Sequence, residues 1–396
     1  MALRERGGVR YFHALQPSRP AIHAPETAMP SDPQAAYWSY IRVKELLSLQ
    51  GGLHDDEDSL TNDEVLFITV HQVFEMWFKL VMREMTGLRD LFKEEVDEQH
   101  LSGAVHGCQR ITTILQRCID HFEVMETLTT REYLAFRDKL TGASGFQSAQ
   151  MRQMEILLGL KDGERISLGA GESYLQALRE ADGSASDALQ RVQKQIEDQP
   201  SIKEVIDEWL YRTPIDGCGP DDVDDEAAVA RFIEEYAAAH AKEVDHACAI
   251  SLARTAVEFD NDLVKERYES EKQALLDWLA PSDEEGGAIR RRTRAAILFI
   301  ISYRELPLLS WPRELLDSII EMEQHFTIFR QRHARMVERI IGRRTGTGGS
   351  AGVDYLDQTA LTYRIFKDLW TVRTFQLREE AIPKLHKEEF YDFRAQ

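Results

Sequence analysis

A single histidine sits inside a long apolar and aromatic stretch between Asp63 and Leu80. Phe67, His71, Glu75 and Phe78 fall at i, i+4, i+8 and i+11, which puts them on one face of a helix. An imidazole flanked by phenylalanines has lost most of its water and must find a partner: a backbone carbonyl, a buried carboxylate, a metal or a ligand. Taken alone, such a residue reads as a core histidine whose hydrogen bond is satisfied.

A second histidine changes that reading. His333 lies in the helical run Phe329-Arg330-Gln331-Arg332-His333-Ala334-Arg335, and the glycine-rich stretch Gly346 to Gly352 follows it. Glycines there let backbone amides and the Thr347 hydroxyl approach an anion closely, because no side chain intervenes. The loop is not a Walker A motif, since no Lys-Ser/Thr pair follows its last glycine. From this segment alone, an ordinary connection between helices explains it equally well.

Two helix histidines far apart in sequence can serve a metal or a macrocycle together. A ferritin-like di-iron centre needs two Glu-x-x-His motifs, and only one exists, Glu243 to His246. No His-Glu-x-x-His occurs, which argues against a zinc protease. An iron held by two histidines and a carboxylate stays open by counting. Haem with one axial and one distal histidine suits the aromatic surroundings of His71 and Phe67 better. A third element, Tyr133 with Arg137 four residues on, can clamp a carboxylate, although a surface ion pair is the commoner use of such an arginine.

Helices must position these groups. Residues 1–33 carry five prolines without sustained periodicity and read as a flexible arm. Helical period then predicts Tyr37–Leu49, a helix capped by Asn62 and running to Phe92, and helices over 103–128, 129–140 and 147–160. The more acidic stretch 161–290 predicts helices at 174–197, 202–211, 226–251 and 261–279 and reads as a covering layer. The core pattern returns at 294–302, 313–341 and 357–379. No strand set is visible, so the class is all-α, organised as an arm (1–33), a helical core (34–160), a covering helical layer (161–290) and a second core segment (291–396).

Composition narrows the partners. A net charge of -20 over 396 residues argues against nucleic acid and against anionic membranes. Cys108, Cys118, Cys218 and Cys248 form neither a CxxC pair nor a zinc-like cluster and read as reduced thiols. No apolar segment follows the charged first ten residues, so a secretory signal is not expected. The longest purely apolar run, 295–301, is too short to cross a bilayer, and a soluble, cytoplasmic protein is expected.

Taken together the blocks resemble the tryptophan 2,3-dioxygenase family of helical haem enzymes. The matching residues are Tyr37-Trp38-Ser39-Tyr40, the helix bearing His71-Gln72 and Glu75-Met76-Trp77-Phe78, and Phe136-Arg137. Ser144-Gly145-Phe146-Gln147-Ser148 with Gln150, Arg152 and Glu155, the His333 helix and the Gly346 to Gly352 loop complete the set. The resemblance spans roughly residues 35–375.

The resemblance implies a haem b in each subunit, ferrous when active, with His333 as the proximal iron ligand and Gly348 and Gly349 beside the cofactor. It implies that His71 lies distal and accepts a hydrogen bond from the indole N–H of L-tryptophan. Arg137 would grip the substrate carboxylate, Thr347 would meet its ammonium or carboxylate, and Phe67, Tyr133 and Ser144 would line the pocket. Tyr37, Tyr40 and Ile41 would reach a neighbouring subunit's site in a homotetramer. The implied reaction inserts both atoms of O2 across the indole C2–C3 bond and yields N-formyl-L-kynurenine, the opening of tryptophan catabolism.

Three features depart from the family pattern. The loop reads Gly348-Gly349-Ser350-Ala351-Gly352 where many relatives carry two serines, Met76 stands where leucine is common, and the N-terminal arm is long. The alternatives are a haem mono-oxygenase acting on a modified tryptophan or another aromatic amino acid, and a non-catalytic haem sensor. A sensor has no need of an amino-acid clamp, and the His-x-x-x-Cys motif expected of a peroxide-using relative is missing.

Overall fold

The computed structural model describes residues 33–140, 148–166, 174–179, 183–254, 261–280, 286–344 and 352–393. Residues 1–58 and 59–396 form two compact units. The first contains α1 (Pro33–Tyr40) and α2 (Val43–Leu46). The continuous helix expected over 37–49 is therefore broken, at Arg42, whose φ of 53° is left-handed. Periodicity does not register one such residue, because apolar spacing resumes on the far side of the break.

The second unit opens with α3 (Asn62–Asp90) and α4 (Glu98–Met125), followed by α5 (Thr130–Phe136) and α6 (Ala149–Leu158). Thr61, rather than Asn62, caps α3: its hydroxyl accepts the Glu64 N–H at 3.3 Å. Thr129 and Glu132 form a reciprocal capping box on α5. Next come α7 (Asp187–Glu197), α8 (Ile202–Arg212), α9 (Asp225–Arg254) and α10 (Asn261–Leu279). Then follow α11 (Gly287–Ser302), α12 (Ser310–Ile341), α13 (Val353–Thr362) and α14 (Lys367–Thr371). Among the described residues there is no strand, only two isolated bridges, and the fold is all-α as expected.

Two long helices expected from periodicity are interrupted. Of the described residues in 174–197 only the last eleven are α-helical: Gly183 turns the chain at φ 83° and Ser186 caps a new start by accepting the Leu189 N–H. The expected helix over 357–379 breaks between α13 and α14. There the Glu323 carboxylate accepts the backbone N–H groups of Ile365 (2.5 Å) and Phe366 (3.1 Å) and the Trp370 indole N–H (2.5 Å). A buried carboxylate from another helix thus takes donors that a continuous helix would have used internally.

One hydrophobic core runs through the second unit. It joins Phe74, Phe78 and Val81 of α3 to Cys118 and Phe122 of α4, Ile319 and Phe329 of α12, and Ile206 and Phe232 from the 161–290 stretch. By length and composition α3 alone among the described helices is apolar enough to cross a membrane. Its Val70, Phe74, Phe78, Val81, Met85 and Leu88 form one buried face against the other helices, while Met76 and Leu80 on its other side are exposed.

Candidate active site

His71 projects from the middle of α3. Its Nδ1 lies 2.7 Å from the Phe67 carbonyl one turn earlier. A carbonyl only accepts, so Nδ1 carries the proton and Nε2 keeps its lone pair. The ring is open to solvent yet densely surrounded by protein, as expected of a side chain lining a concave surface. Burial lowers its pKa from the ordinary 6.5, against the raising influence of the Phe67 hydrogen bond and Glu75. His71 is therefore a neutral hydrogen-bond acceptor at neutral pH.

An aromatic wall extends from this imidazole. The Phe67 ring lies 4.1 Å from His71, 6.1 Å from Tyr133 and 5.4 Å from Phe136, centroid to centroid. Tyr133 and Phe136 are buried and pack edge to face at 5.6 Å. Arg137 follows directly as the C-cap of α5, its N–H bonded to the Tyr133 carbonyl. In sequence, Arg137 therefore directly follows the last ring of the wall that begins at His71.

A second aromatic set holds His333. Phe122 stacks on its ring at 5.7 Å and 12°, and Phe329 lies 6.3 Å away one turn earlier on α12. Phe74 joins the two sets, since it touches Phe122 at 4.9 Å and sits one turn from His71 on α3. Burial pushes the His333 pKa down to about 4, and a charge on His71 would lower it further. The two imidazoles are thus close enough to feel one another, and both are neutral. Among the described residues neither nitrogen of His333 has a hydrogen-bond partner, although its ring is half-buried. A neutral, apolar-packed imidazole with uncommitted nitrogens is the donor that an iron porphyrin takes.

Supporting contacts fix these groups. Buried Glu64 accepts from Lys139 at 2.7 and 3.0 Å, pinning the 3-10 turn Arg137–Leu140 to the start of α3. Gln150 donates to the carbonyl and carboxylate of Glu75, both at 2.7 Å, which ties α6 to α3 one turn past His71. Arg332, beside His333, pairs with Glu126 at 2.6 Å. Deeper, the Glu155 carboxylate meets Arg165 (2.6 Å), Arg152 (3.0 Å) and Arg330 (3.1 Å). These arginines hold its pKa down at about 2 in spite of burial. Arg330 precedes His333 by three residues, so this network anchors α12 next to the proposed ligand.

Sequence reasoning singled out His71, Phe67, Tyr133, Arg137 and His333; the structure places the rings of Phe67, His71 and Tyr133 in one aromatic set, with Arg137 next in sequence after Phe136, and Phe74 links that set to the one around His333. Ser144, Thr347, Gly348 and Gly349 lie outside the described residues. Arg335 pairs with Asp357 on α13, so both helices flanking the loop of Thr347 are tied together. Tyr37, Tyr40 and Ile41, in the N-terminal unit, are 67%, 88% and 43% exposed. Glu64, Lys139 and the Glu75–Gln150 pair were not singled out for a role at the site. Their partners lie 75 residues away, and a polar residue carries no spacing signal for such a contact. Glu243, the carboxylate of the lone Glu-x-x-His motif, is engaged by Arg378 at 2.6 Å. No cluster of three or more His, Cys, Asp or Glu suited to a metal ion occurs among the described residues, so the two-histidine-one-carboxylate alternative finds no donor set there. A separate open concavity of about 550 Å³, lined by residues including Glu98, His106 and Trp311, contains none of the site residues.

Comparison with known proteins gives the family. A family model described as tryptophan 2,3-dioxygenase matches residues 24–376. A tryptophan 2,3-dioxygenase of Sorangium cellulosum is 51% identical over 91% of this chain and 88% of the relative. The protein named tryptophan 2,3-dioxygenase 2 of Ralstonia nicotianae is 47% identical over 90% of this chain and 97% of its own. A tryptophan 2,3-dioxygenase of Anopheles gambiae is 33% identical over 89% of this chain and 88% of its own. Neither the mono-oxygenase nor the sensor alternative is favoured by these relatives. With the family model spanning both histidine helices and relatives matched along nearly their whole length, the chain belongs to the tryptophan 2,3-dioxygenase family.

Proposed function

We propose that this chain is a haem-dependent oxidoreductase that cleaves the indole C2–C3 bond of L-tryptophan with O2 to give N-formyl-L-kynurenine. The observation that carries the reading is the presence of two neutral imidazoles in aromatic sets joined through Phe74, His71 against Phe67 and His333 against Phe122, with Arg137 directly after Phe136 of the first set. His333 would hold the haem iron, and the bound haem would supply the ferrous centre that activates dioxygen.

The remaining steps belong to this chain's own residues. His71 accepts the indole N–H on Nε2, the nitrogen left free by its bond to the Phe67 carbonyl. Phe67, Tyr133 and Phe136 flank the indole and exclude water. Arg137 grips the substrate carboxylate with two parallel N–H donors, which fixes the ring at its other end. Two-point fixation of this kind converts binding into orientation, the term that accelerates the reaction without charge on the protein changing hands. Thr347 and Ser144 would complete the substrate pocket, with Gly348 and Gly349 at the haem. Tyr37, Tyr40 and Ile41 would be covered by, and contribute to, a neighbouring subunit of a homotetramer; the exposure of these aromatic and aliphatic side chains supports that role.

The test is direct. Purified protein loaded with haem is reduced anaerobically, mixed with L-tryptophan and then with oxygen, and the product is identified by mass. N-formyl-L-kynurenine is expected; a product carrying one added oxygen, or none, overturns the proposal. The His333 assignment has its own readout: His333→Ala should lose the absorption of axially ligated haem, and a variant that keeps it refutes the ligand.

A further inference from the structure

Away from the active site, the turn 214–218 and the tail segment 386–391 are joined by a contact that the proposed reaction does not use. The Lys387 Nζ lies 3.2 Å from the Cys218 Sγ, across 169 residues of chain. The contact is built from several sides. Asp216 accepts the backbone N–H groups of both His386 and Lys387 at 2.9 Å. The Tyr391 hydroxyl accepts the Gly217 N–H at 2.9 Å and donates to the Pro214 carbonyl at 3.0 Å. Gly217, at φ 71°, leaves the space in which the lysine stem lies: a Cβ there would meet the Lys387 Cδ at 3.0 Å and Cβ at 3.2 Å. The Cys218 carbonyl is itself held by Arg292 at 3.3 Å. Backbone and stem are therefore both fixed, and they deliver the amine onto a thiol that is only 3% exposed.

We propose that Cys218 and Lys387 are a modification site: under oxidising conditions they form a reversible nitrogen–oxygen–sulfur cross-link that fastens the C-terminal tail to the 214–218 turn. The oxidant is dioxygen, the co-substrate of the proposed reaction, on which this part of the argument rests; two molecules of hydrogen peroxide, each taking up two electrons and together leaving three waters, would serve in its place. One oxygen atom enters between Nζ and Sγ and the other leaves as water. The ammonium contributes two protons and the thiol one, of which two end in the water and one in solvent. Nitrogen and sulfur each lose two electrons, which equals the four that dioxygen takes up. A thiol without a neighbouring amine proceeds instead along the sulfenic, sulfinic and sulfonic series.

The other cysteines are internal controls. Cys108 and Cys118 are fully buried, and burial pushes both thiols up to about 12, which leaves them unreactive. Cys248 is more exposed than Cys218 and has no amine partner among the described residues. Accessibility alone would direct oxidation to Cys248, whereas the cross-link requires Cys218.

The experiment exposes the intact chain to oxygenated buffer or to hydrogen peroxide and digests it with trypsin without reductant. The expected product joins the peptides 213–231 and 385–394 with a combined mass increased by one oxygen and decreased by two hydrogens. Dithiothreitol should separate them. Cys218→Ser and Lys387→Arg should each abolish the joined species, while the oxidised native chain should melt at a higher temperature than the reduced one. Mass spectra showing only sulfenic or sulfinic acid at Cys218, or oxidation confined to Cys248, overturn the proposal. So does a joined species that survives in Lys387→Arg. Neither residue touches the site of His71 and His333, so failure here leaves the dioxygenase reading intact, and failure of that reading leaves the peroxide arm of this test standing.

Discussion

Replacing Glu155 with glutamine keeps the side chain's shape and removes the negative charge that Arg152, Arg165 and Arg330 share. The carboxylate is 3% exposed, so solvent screening does little to soften the loss. A carboxyl held at about 2 rather than its ordinary 4.5 favours the ionised, folded form by about 3 kcal/mol at neutral pH. Breaking a buried pair from one side costs roughly 3–5 kcal/mol, because the partner charges stay buried without compensation. Both routes lead to a destabilisation of about 3–5 kcal/mol, a large share of the stability of a typical domain. Urea unfolding of native and Glu155→Gln protein at the same concentration measures it. The sign with pH follows from the depressed pKa. Glu155's contribution is complete above about 4.5 and is lost as pH falls from there towards 2, so the gap between the two proteins should narrow in that range. A Glu155→Gln protein within about 1 kcal/mol of the native one at neutral pH would refute the reasoning. A gap that stays constant below pH 4.5 would refute the assignment of the effect to this carboxylate.

Three further outcomes are expected. Arg137→Ala should raise the KM for tryptophan by roughly a hundredfold or more, as loss of a desolvated carboxylate partner commonly does; an unchanged concentration dependence would refute the clamp. Lys139→Ala should cost about 1 kcal/mol, since its side chain is half-exposed, yet should raise KM more than it lowers kcat because the turn bearing Arg137 loosens; steady-state kinetics at several tryptophan concentrations separate the two. His71 is held neutral, with its pKa below 6.5 because of burial. Tryptophan affinity should therefore stay flat as pH falls to 6.5 and decline only below it, while an unfolded chain that protonates at 6.5 makes this group's contribution to stability fall over the same acidic range. Spectral titration with tryptophan at a series of pH values checks the affinity, and a midpoint at or above 6.5 would contradict the neutral-acceptor role.

Much of the fold could be read along the chain. The period of apolar residues placed the long helices α3, α4 and α12, because a helix face that packs on a core must repeat every three to four residues. The same reasoning put Phe67 and His71 on one face, and their rings do touch. It failed where the decisive partner lies far away in sequence. The break at 363–366 exists because Glu323 captures two backbone N–H groups there, and nothing local to residues 357–379 records that carboxylate. The start of α7 was misplaced for a local reason: the turn at Gly183 and the Ser186 cap outweighed a continuous apolar pattern.

By itself, the sequence determined the helical class, through periodicity, and pointed to the family and to candidate reactive groups, through the resemblance of its motif blocks. Only the tertiary structure decided their chemical state. His71 keeps Nε2 free because its Nδ1 meets the Phe67 carbonyl, and His333 is neutral because α4 and α12 bury it between Phe122 and Phe329. Glu155 stays ionised because Arg330 of α12, 175 residues away, joins the nearby Arg152 and Arg165 around it. Protonation and tautomer depend on dielectric surroundings and on partners across space, and the linear order of residues specifies these only once the helices have packed.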